Sequence, residues 1–166
     1  MKFKITLIIV LIACLFALNG CSLFSGEVTL TFESNGGSAV ASIEVAKNQE
    51  VELPIPTRED FSFGGWYYNS ALSDKVDESH TFKKNTKLYA KWIPDVFQII
   101  YENICFDWSY NPNPETYTIV TPTITIQEIS KNGATFMGWF EDEDFTVEAD
   151  LVIPTGSRGN KTFYAK

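Results

Sequence analysis

The sequence predicts a β-rich α+β fold, made of two tandem copies of one small domain behind an export signal. The first observation is a Gly-Trp-aromatic strand that occurs twice, as "SFGGWY" with Trp66 and as "TFMGWF" with Trp139. The second is "NTKLYAKW" at 85–92, which returns as "NKTFYAK" at 160–166. The third is an apolar run over 5–18 that follows two lysines. Repeated segments of this size indicate an array of supersecondary units.

The copies are not spaced by one fixed number of residues. The tryptophans lie 73 residues apart, and the closing "YAK" segments lie 75 apart. The opening strand at 28–32 corresponds to 97–101, an offset of 69. Different offsets indicate that the strands are kept while the loops between them vary in length. We therefore place copy one at 27–92 and copy two at 97–166, joined by a linker at 93–96.

The first 20 residues read as a signal peptide, since a basic start precedes an apolar run too short for a comfortable membrane span. The run ends in "LNGC", which resembles a bacterial lipobox and predicts cleavage before Cys21. Cys21 would then carry a diacylglycerol thioether, and 21–26 would form a short tether. Two alternatives remain open. "LIAC" at 11–14 would place the lipid on Cys14, and an ordinary secretory signal would carry no lipid.

Copy one alternates in the manner of strands and contains clear turn signals. We predict a single helical turn at 70–75, with Ser70 as its cap. The predicted strands and turns, in chain order, are the strand 28–32, the Asn-Gly-Gly turn 35–37, a short strand 51–53, the strand 61–68 and the closing strand 87–92.

Copy two reads in the same way, with two β-branched runs at 116–120 and 123–127 on either side of Pro122. It contains one segment without a counterpart in copy one, "FDWSYNPNP" at 106–114. Proline and asparagine are typical of loops, so this segment predicts an inserted surface loop.

Three motifs carry a family resemblance: Asn-Gly-Gly at 35–37, then Pro-Thr through Phe, Phe, Gly, Trp and Tyr at 56–67, then Leu-Tyr-Ala-Lys-Trp at 88–92. In this order they resemble the Listeria–Bacteroides repeat, also called the internalin B-repeat. Copy two matches the second motif at Phe136, Gly138, Trp139 and Phe140, and it matches the third motif at Tyr164-Ala165-Lys166 without the terminal Trp. Ile104-Cys105-Phe106 replaces the turn. The resemblance implies a small β-grasp-like domain with a short helix, found in surface-protein stalks and adhesins. It implies no catalytic residues.

Composition excludes several classes of function. The chain carries a net charge of −8, and the only charged residues of its export signal are two lysines, so the rest of the chain is more acidic still. No basic patch that could bind nucleic acid is visible. An acidic exterior fits a domain that stays off anionic surfaces in the cell envelope. With one histidine, His80, and one cysteine left after lipidation, Cys105, no nucleophile–base or metal constellation stands out. We therefore predict neither an enzyme nor a cofactor.

The aromatic residues divide into two groups. A small domain buries little surface and has few large side chains to spare, so Trp66 and Trp139 are predicted as core residues. Trp108 and Tyr110, in the inserted segment, are the candidate ligand contacts, although such an insertion is also typical of plain surface loop.

Six carboxylates lie in the segment "EDEDFTVEAD" at 141–150. Oxygen ligands of this kind suit Ca²⁺, but the spacing and the glycine of an EF-hand loop are missing. A solvated acidic loop is the default interpretation.

The predicted function is a membrane-anchored surface lipoprotein whose repeats form a non-catalytic interaction or adhesion module. Its partners would be the lipid bilayer, through acylated Cys21, and a protein or glycan of the envelope. The alternative is a purely structural spacer with no ligand of its own. The tether of residues 22–26 reaches only about 17 Å when extended, which favours a partner close to the membrane over a long stalk.

Overall fold

A computed structural model of the chain describes residues 26–77, 80–104, 108–131 and 133–166. The predicted signal peptide, the lipidation candidate Cys21 and its alternative Cys14 lie outside the described residues, as does Cys105.

Each copy contributes one four-stranded sheet, and copy two adds two small two-stranded sheets. The strands are β1 (Glu27–Glu33), β2 (Ile43–Ala46), β3 (Phe61–Tyr67), β4 (Thr86–Pro94), β5 (Phe97–Glu102), β6 (Trp108–Tyr110), β7 (Thr116–Tyr117), β8 (Ile124–Thr125), β9 (Ser130–Lys131), β10 (Trp139–Phe140), β11 (Val152–Ile153) and β12 (Lys161–Ala165). The large sheets have the orders β2-β1-β4-β3 and β10-β12-β5-β7, and the small ones pair β11 with β8 and β6 with β9.

The two large sheets are built in the same way around a central parallel pair. In copy one β1 pairs with β4, with Leu30 opposite Thr86, and in copy two β5 pairs with β12, with Ile99 opposite Lys161. An asparagine before each closing strand caps the start of the first strand through its side-chain oxygen. Asn85 accepts from the amide of Thr29, and Asn160 accepts from that of Gln98, both at 2.9 Å. Equivalent residues of the two copies lie 69 residues apart in the first strands and 75 apart in the closing strands, which confirms the offsets predicted from the sequence.

Both repeated tryptophans are core residues, as predicted, and each is only 3% exposed. The indole Nε1 of Trp66 donates to the carbonyl of Pro54 at 2.7 Å, and that of Trp139 donates to the carbonyl of Gln127 at 2.9 Å. The glycines that precede them have φ of +106° at Gly65 and +128° at Gly138, which an L side chain rarely adopts. Glycine is therefore needed for its backbone conformation, because a Cβ at Gly138 would meet only the edge of a ring at 3.6 Å.

The helical turn predicted at 70–75 is absent, and the described residues contain no helix at all. The side chain of Asn69 accepts the amide of Ser73, and Leu72 has a φ of +54°, so the segment closes as a turn. A left-handed residue at this point prevents helical continuation. The expected α+β class and its β-grasp-like helix are therefore corrected to an all-β arrangement of two tandem repeats.

Several predicted strands also changed. The short strand expected at 51–53 does not form, and the missed strand β2 pairs with β1 instead. The runs predicted at 116–120 and 123–127 shorten to two residues each, in β7 and β8. Propensity identified β-branched segments but not which of their residues find a partner strand.

The chain forms two compact units. The described part of unit 1 covers 26–34, Ala39–Pro54, 66–77 and 80–90, and its buried core includes Leu30 and Leu88. Unit 2 consists of Asn35–Ser38, Ile55–Gly65 and Lys91–Lys166. The buried cluster of unit 2 contains Ile99, Tyr117, Ile126, Ile129, Trp139, Ile153, Phe163 and Ala165.

Candidate functional site

The two predicted contact residues lie at the ends of a short strand. β6 pairs antiparallel with β9, with Trp108 opposite Lys131 and Tyr110 opposite Ser130, and the register shifts between the two pairs. A shift of this kind is a β-bulge in the backbone pairing. The segment is therefore tied to the rest of copy two by backbone pairing. The residues before it, 105–107, lie outside the described part of the chain.

The end of the same segment is anchored by a buried amide. The side chain of Asn113 is 8% exposed, donates to the carbonyl of Gln127 at 2.9 Å and accepts the amide of Gln127 at 2.7 Å. The carbonyl of Gln127 also accepts the Trp139 indole. Pro54 occupies the corresponding place in copy one, and proline has no amide to offer. This anchor is therefore special to copy two.

The acidic segment 141–150 is ordered by one of its own carboxylates. Asp142 accepts the backbone amide of Thr146 at 3.0 Å and that of Val147 at 2.7 Å. The amide of Thr146 is the main cause that holds the pKa of Asp142 below its ordinary value of 3.8. Asn69 makes the corresponding bond to Ser73 in copy one. The first role of Asp142 is therefore to close a turn that both copies share.

A cleft of about 470 Å³ opens beside this turn in copy two. That volume lies in the range typical of small-ligand pockets. Its wall consists of Glu141, Asp150, Val152, Ile153, Pro154, Ser157, Asn160, Lys161, Thr162 and Phe163. The lining combines ionisable side chains, hydroxyl and amide groups, and a floor of buried apolar side chains at Ile153 and Phe163.

One edge of β12 faces this cleft. β10 covers β12 only at Tyr164 and Ala165, after which the chain turns away at Glu141. On this edge Lys166 exchanges hydrogen bonds with Met137 and Gly138. Backbone groups of alternate residues point to the same edge of a strand, so those of Thr162 face the cleft as well.

The ionisable groups in the cleft are two acids and one base. Among the described residues, the carboxylate of Glu141 and the ammonium of Lys161 have neither a hydrogen bond nor an ion pair. One oxygen of Asp150 accepts the amide of Val152 at 3.0 Å. The loop between β11 and β12 is held in unit 2 by Arg158, which pairs with Glu59 at 2.9 Å and Asp60 at 2.7 Å. The acidic groups therefore line a supported cleft of net negative formal charge.

Corresponding backbone bonds identify the same place in copy one. The amide of Tyr68 donates to the carbonyl of Asp74, and the amide of Glu141 donates to that of Val147. Tyr68 therefore occupies the position of Glu141. Its ring lies 5.3 Å from that of His80, which lies 5.1 Å from that of Phe82. Aromatic side chains occupy this region in copy one, whereas copy two has the cleft.

Packing Tyr68 into this region buries the polar hydroxyl group of its side chain. Its hydroxyl oxygen is buried and has no hydrogen-bond partner among the described residues. Burial raises the pKa of Tyr68, and the nearby carboxylates of Asp74 and Asp77 raise it further. His80, the only histidine of the chain, serves as an aromatic packing residue in this cluster.

Sequence reasoning missed Asn113, Lys161 and Thr162, and it treated Glu141 and Asp150 only as members of a charge run. The available signal was the replacement of Tyr68 by Glu141 when the repeats are aligned on their tryptophans. The described residues contain no group of three or more histidine, cysteine, aspartate or glutamate side chains arranged to hold a metal ion. Within the same residues, no helix is long and apolar enough to span a bilayer.

Comparison with known proteins supports the two-copy description. Residues 29–91 and 103–166 each match the model of the Listeria-Bacteroides repeat domain. Two relatives come from Evansella cellulosilytica: "Putative Gly-rich membrane protein" is 32% identical over 150 residues, and "Putative membrane protein" is 31% identical over 140. The alignments cover 84% and 83% of this chain but only 16% and 20% of the relatives. No solved structure matches the chain.

Proposed function

The chain belongs to the Listeria-Bacteroides repeat family, and on that premise we propose that it is a membrane-anchored envelope protein with a non-catalytic binding role. Cys21 would carry the lipid anchor, and copy two would carry the ligand site. The cleft beside β12 and the β6 segment with Trp108 and Tyr110 are the two candidate contact surfaces.

The observation that carries the binding role is the difference between two otherwise matched copies. Both copies share the tryptophan bond, the asparagine cap and the central parallel pair. Copy two adds the β6 segment, and it has a cleft beside Glu141, at the position where copy one packs the ring of Tyr68 against His80. Features that the common frame does not need for its stability are candidates for function.

The anchoring role rests on the sequence and on the relatives. The "LNGC" motif ends at Cys21, and the two named relatives are described as membrane proteins. Two or more acyl chains on one cysteine hold a protein stably on a bilayer, whereas a single chain binds only marginally. A lipidated Cys21 would therefore keep both repeats near the membrane surface.

A pair of cysteine variants tests the anchor. Cys21→Ala should move the protein from the membrane fraction to the soluble fraction and remove the mass of the lipid from the N-terminal peptide. Cys14→Ala is the matched control and should leave both readouts unchanged. Loss of lipid in Cys14→Ala alone would transfer the anchor to the competing motif, and unchanged fractionation in both variants would refute lipid anchoring.

The binding role is tested by capture of envelope extract on the purified protein. Glu141→Tyr fills the cleft with the residue that copy one uses, and Trp108→Ala with Tyr110→Ala removes the other surface. We expect at least one of these changes to abolish capture of a defined protein or glycan, with circular dichroism unchanged. Equal capture by the wild type and both variants would contradict a binding role for copy two.

A structural spacer is the second candidate function, and the shared frame of the two copies favours it. Repeated units of one design are common where a protein needs length. A spacer requires the fold but neither the cleft nor the β6 aromatics. The same capture experiment therefore separates the two functions.

A further inference from the structure

We propose that the cleft of copy two binds an extended, positively charged peptide segment, which adds as a strand to the free edge of β12. This inference deepens the proposed function and rests on the cleft being a binding site. It concerns the class of the ligand, a peptide bearing lysine or arginine side chains.

The first support is the open strand edge. β12 is paired with β5 from Lys161 to Tyr164, but on its other side β10 covers only Tyr164 and Ala165. No strand of the described residues pairs with β12 at Thr162 on that side, so the backbone amide and carbonyl of Thr162 face the cleft. An exposed edge of this kind is a template for an added strand, whose affinity comes from main-chain hydrogen bonds.

The second support is charge. Glu141 and Asp150 face the cleft from the acidic turn, and Lys161 is the only basic residue in the lining. The whole chain carries a net charge of −8, so its field also attracts cations. A lysine or arginine side chain of a bound strand would pair with Glu141, whose carboxylate has no partner among the described residues.

The third support is the nature of the apolar lining, which favours a peptide over a glycan. Sugar recognition commonly uses an exposed aromatic face, and the only aromatic residue in the lining is Phe163, which is 4% exposed. Val152, which also lines the cleft, is 42% exposed. A branched aliphatic side chain there can pack against alternate side chains of an added strand.

The test uses the full-length protein, purified in detergent, and a fluorescein-labelled octapeptide of alternating threonine and lysine. Anisotropy should report saturable binding. The matched peptide of alternating threonine and glutamate should not bind. A third peptide keeps the lysines but has alternate amides methylated, which removes hydrogen-bond donors from one edge. We expect at least a tenfold loss of affinity for this peptide.

Two protein variants locate the site. Glu141→Lys with Asp150→Lys reverses both acids of the cleft and should weaken binding at least tenfold. Glu143→Lys with Asp144→Lys makes the same change in net charge on exposed residues of the same turn that do not line the cleft. This control should keep most of the affinity and, with unchanged circular dichroism, shows that the charge change alone does not disrupt the protein.

Equal losses in both double variants, or equal binding of the methylated peptide, would overturn strand addition at this cleft. No binding of the lysine peptide would overturn the ligand class. In that case envelope capture that is still lost in Glu141→Tyr would leave the proposed function standing. Capture that is insensitive to the cleft and to the β6 aromatics would refute the function as well.

Discussion

Copy one places Tyr68 against His80 and Phe82, whereas copy two places Glu141 at the corresponding position beside an open cleft. The surrounding frames match, down to the bond from each tryptophan indole to a carbonyl 12 residues earlier. The comparison teaches that this repeat tolerates either a closed aromatic cluster or a polar cleft at one position. The shared contacts are the same in both copies, whereas the residue at this position differs, and we propose that this position serves binding in copy two.

The largest effect is expected from the shared contact itself. Trp66→Ala or Trp139→Ala should each lower the free energy of unfolding by about 3–5 kcal/mol, because each removes a buried ring and its hydrogen bond. Chemical denaturation of each variant measures the loss. Similar losses in the two copies would support one common frame, whereas a small loss at either tryptophan would show that the frames are not equivalent.

A smaller effect is expected where the copies differ in their anchoring. Asn113→Ala leaves the amide of Gln127 without its side-chain acceptor and should cost about 1–3 kcal/mol of unfolding free energy. Asn111→Ala removes a less buried neighbour that accepts from the Asn113 side chain and should cost less. The measurement is the denaturation midpoint of each variant, at an unchanged slope of unfolding free energy against denaturant concentration. A larger loss at Asn111 would contradict the role of Asn113.

The aromatic cluster of copy one gives a third prediction, of about 1 kcal/mol or less. Tyr68→Phe removes a buried hydroxyl without a hydrogen-bond partner, so the variant should be as stable as the wild type or slightly more stable. Thermal unfolding measures this directly. Tyr68→Glu, which introduces the residue of copy two, should destabilise copy one, because a carboxylate would enter a partly buried site near Asp74 and Asp77. Destabilisation by Tyr68→Phe would show that the hydroxyl has a stabilising partner.

The last prediction concerns pH and a second position at which the copies differ, where copy one has Phe32 and copy two has Tyr101. Burial raises the pKa of Tyr101 from 10.0 to about 12, with a further contribution from Glu115, and its hydroxyl donates to the carbonyl of Pro114 at 2.9 Å. A raised folded-state pKa means that this contribution is complete below pH 10 and is lost as pH rises toward 12. Unfolding free energies of wild type and Tyr101→Phe should therefore converge over that range. A constant difference would contradict the assignment.

The sequence was sufficient for the parts of the fold that repeat. Trp66, Trp139 and the closing strands were identified because a core position must keep its residue type in both copies. The helical turn at 70–75 was wrong because a side-chain bond from Asn69 and the left-handed Leu72 decide that segment, and propensity does not reveal either. The predictions for Trp108, Tyr110 and Cys21 stay predictions.

The cleft was beyond sequence reasoning for a different reason. Glu141 and Asp150 are visible as charges in the sequence, but the open edge at Thr162 depends on where β10 stops. That point is set by a turn that Asp142 closes through the amides of Thr146 and Val147. Glu141, Asp150 and the open edge at Thr162 come together only through the pairing of β10 with β12 in the folded structure.

The most direct test is a two-dimensional amide NMR titration of the protein with the threonine–lysine peptide. The account predicts chemical-shift changes concentrated at Asp150, Val152, Lys161 and Thr162, with the corresponding region of copy one around Tyr68 and Lys87 unchanged. Equal changes in both copies, or changes confined to 108–111, would contradict the claim that the exchange of Tyr68 for Glu141 opens a binding cleft in copy two alone.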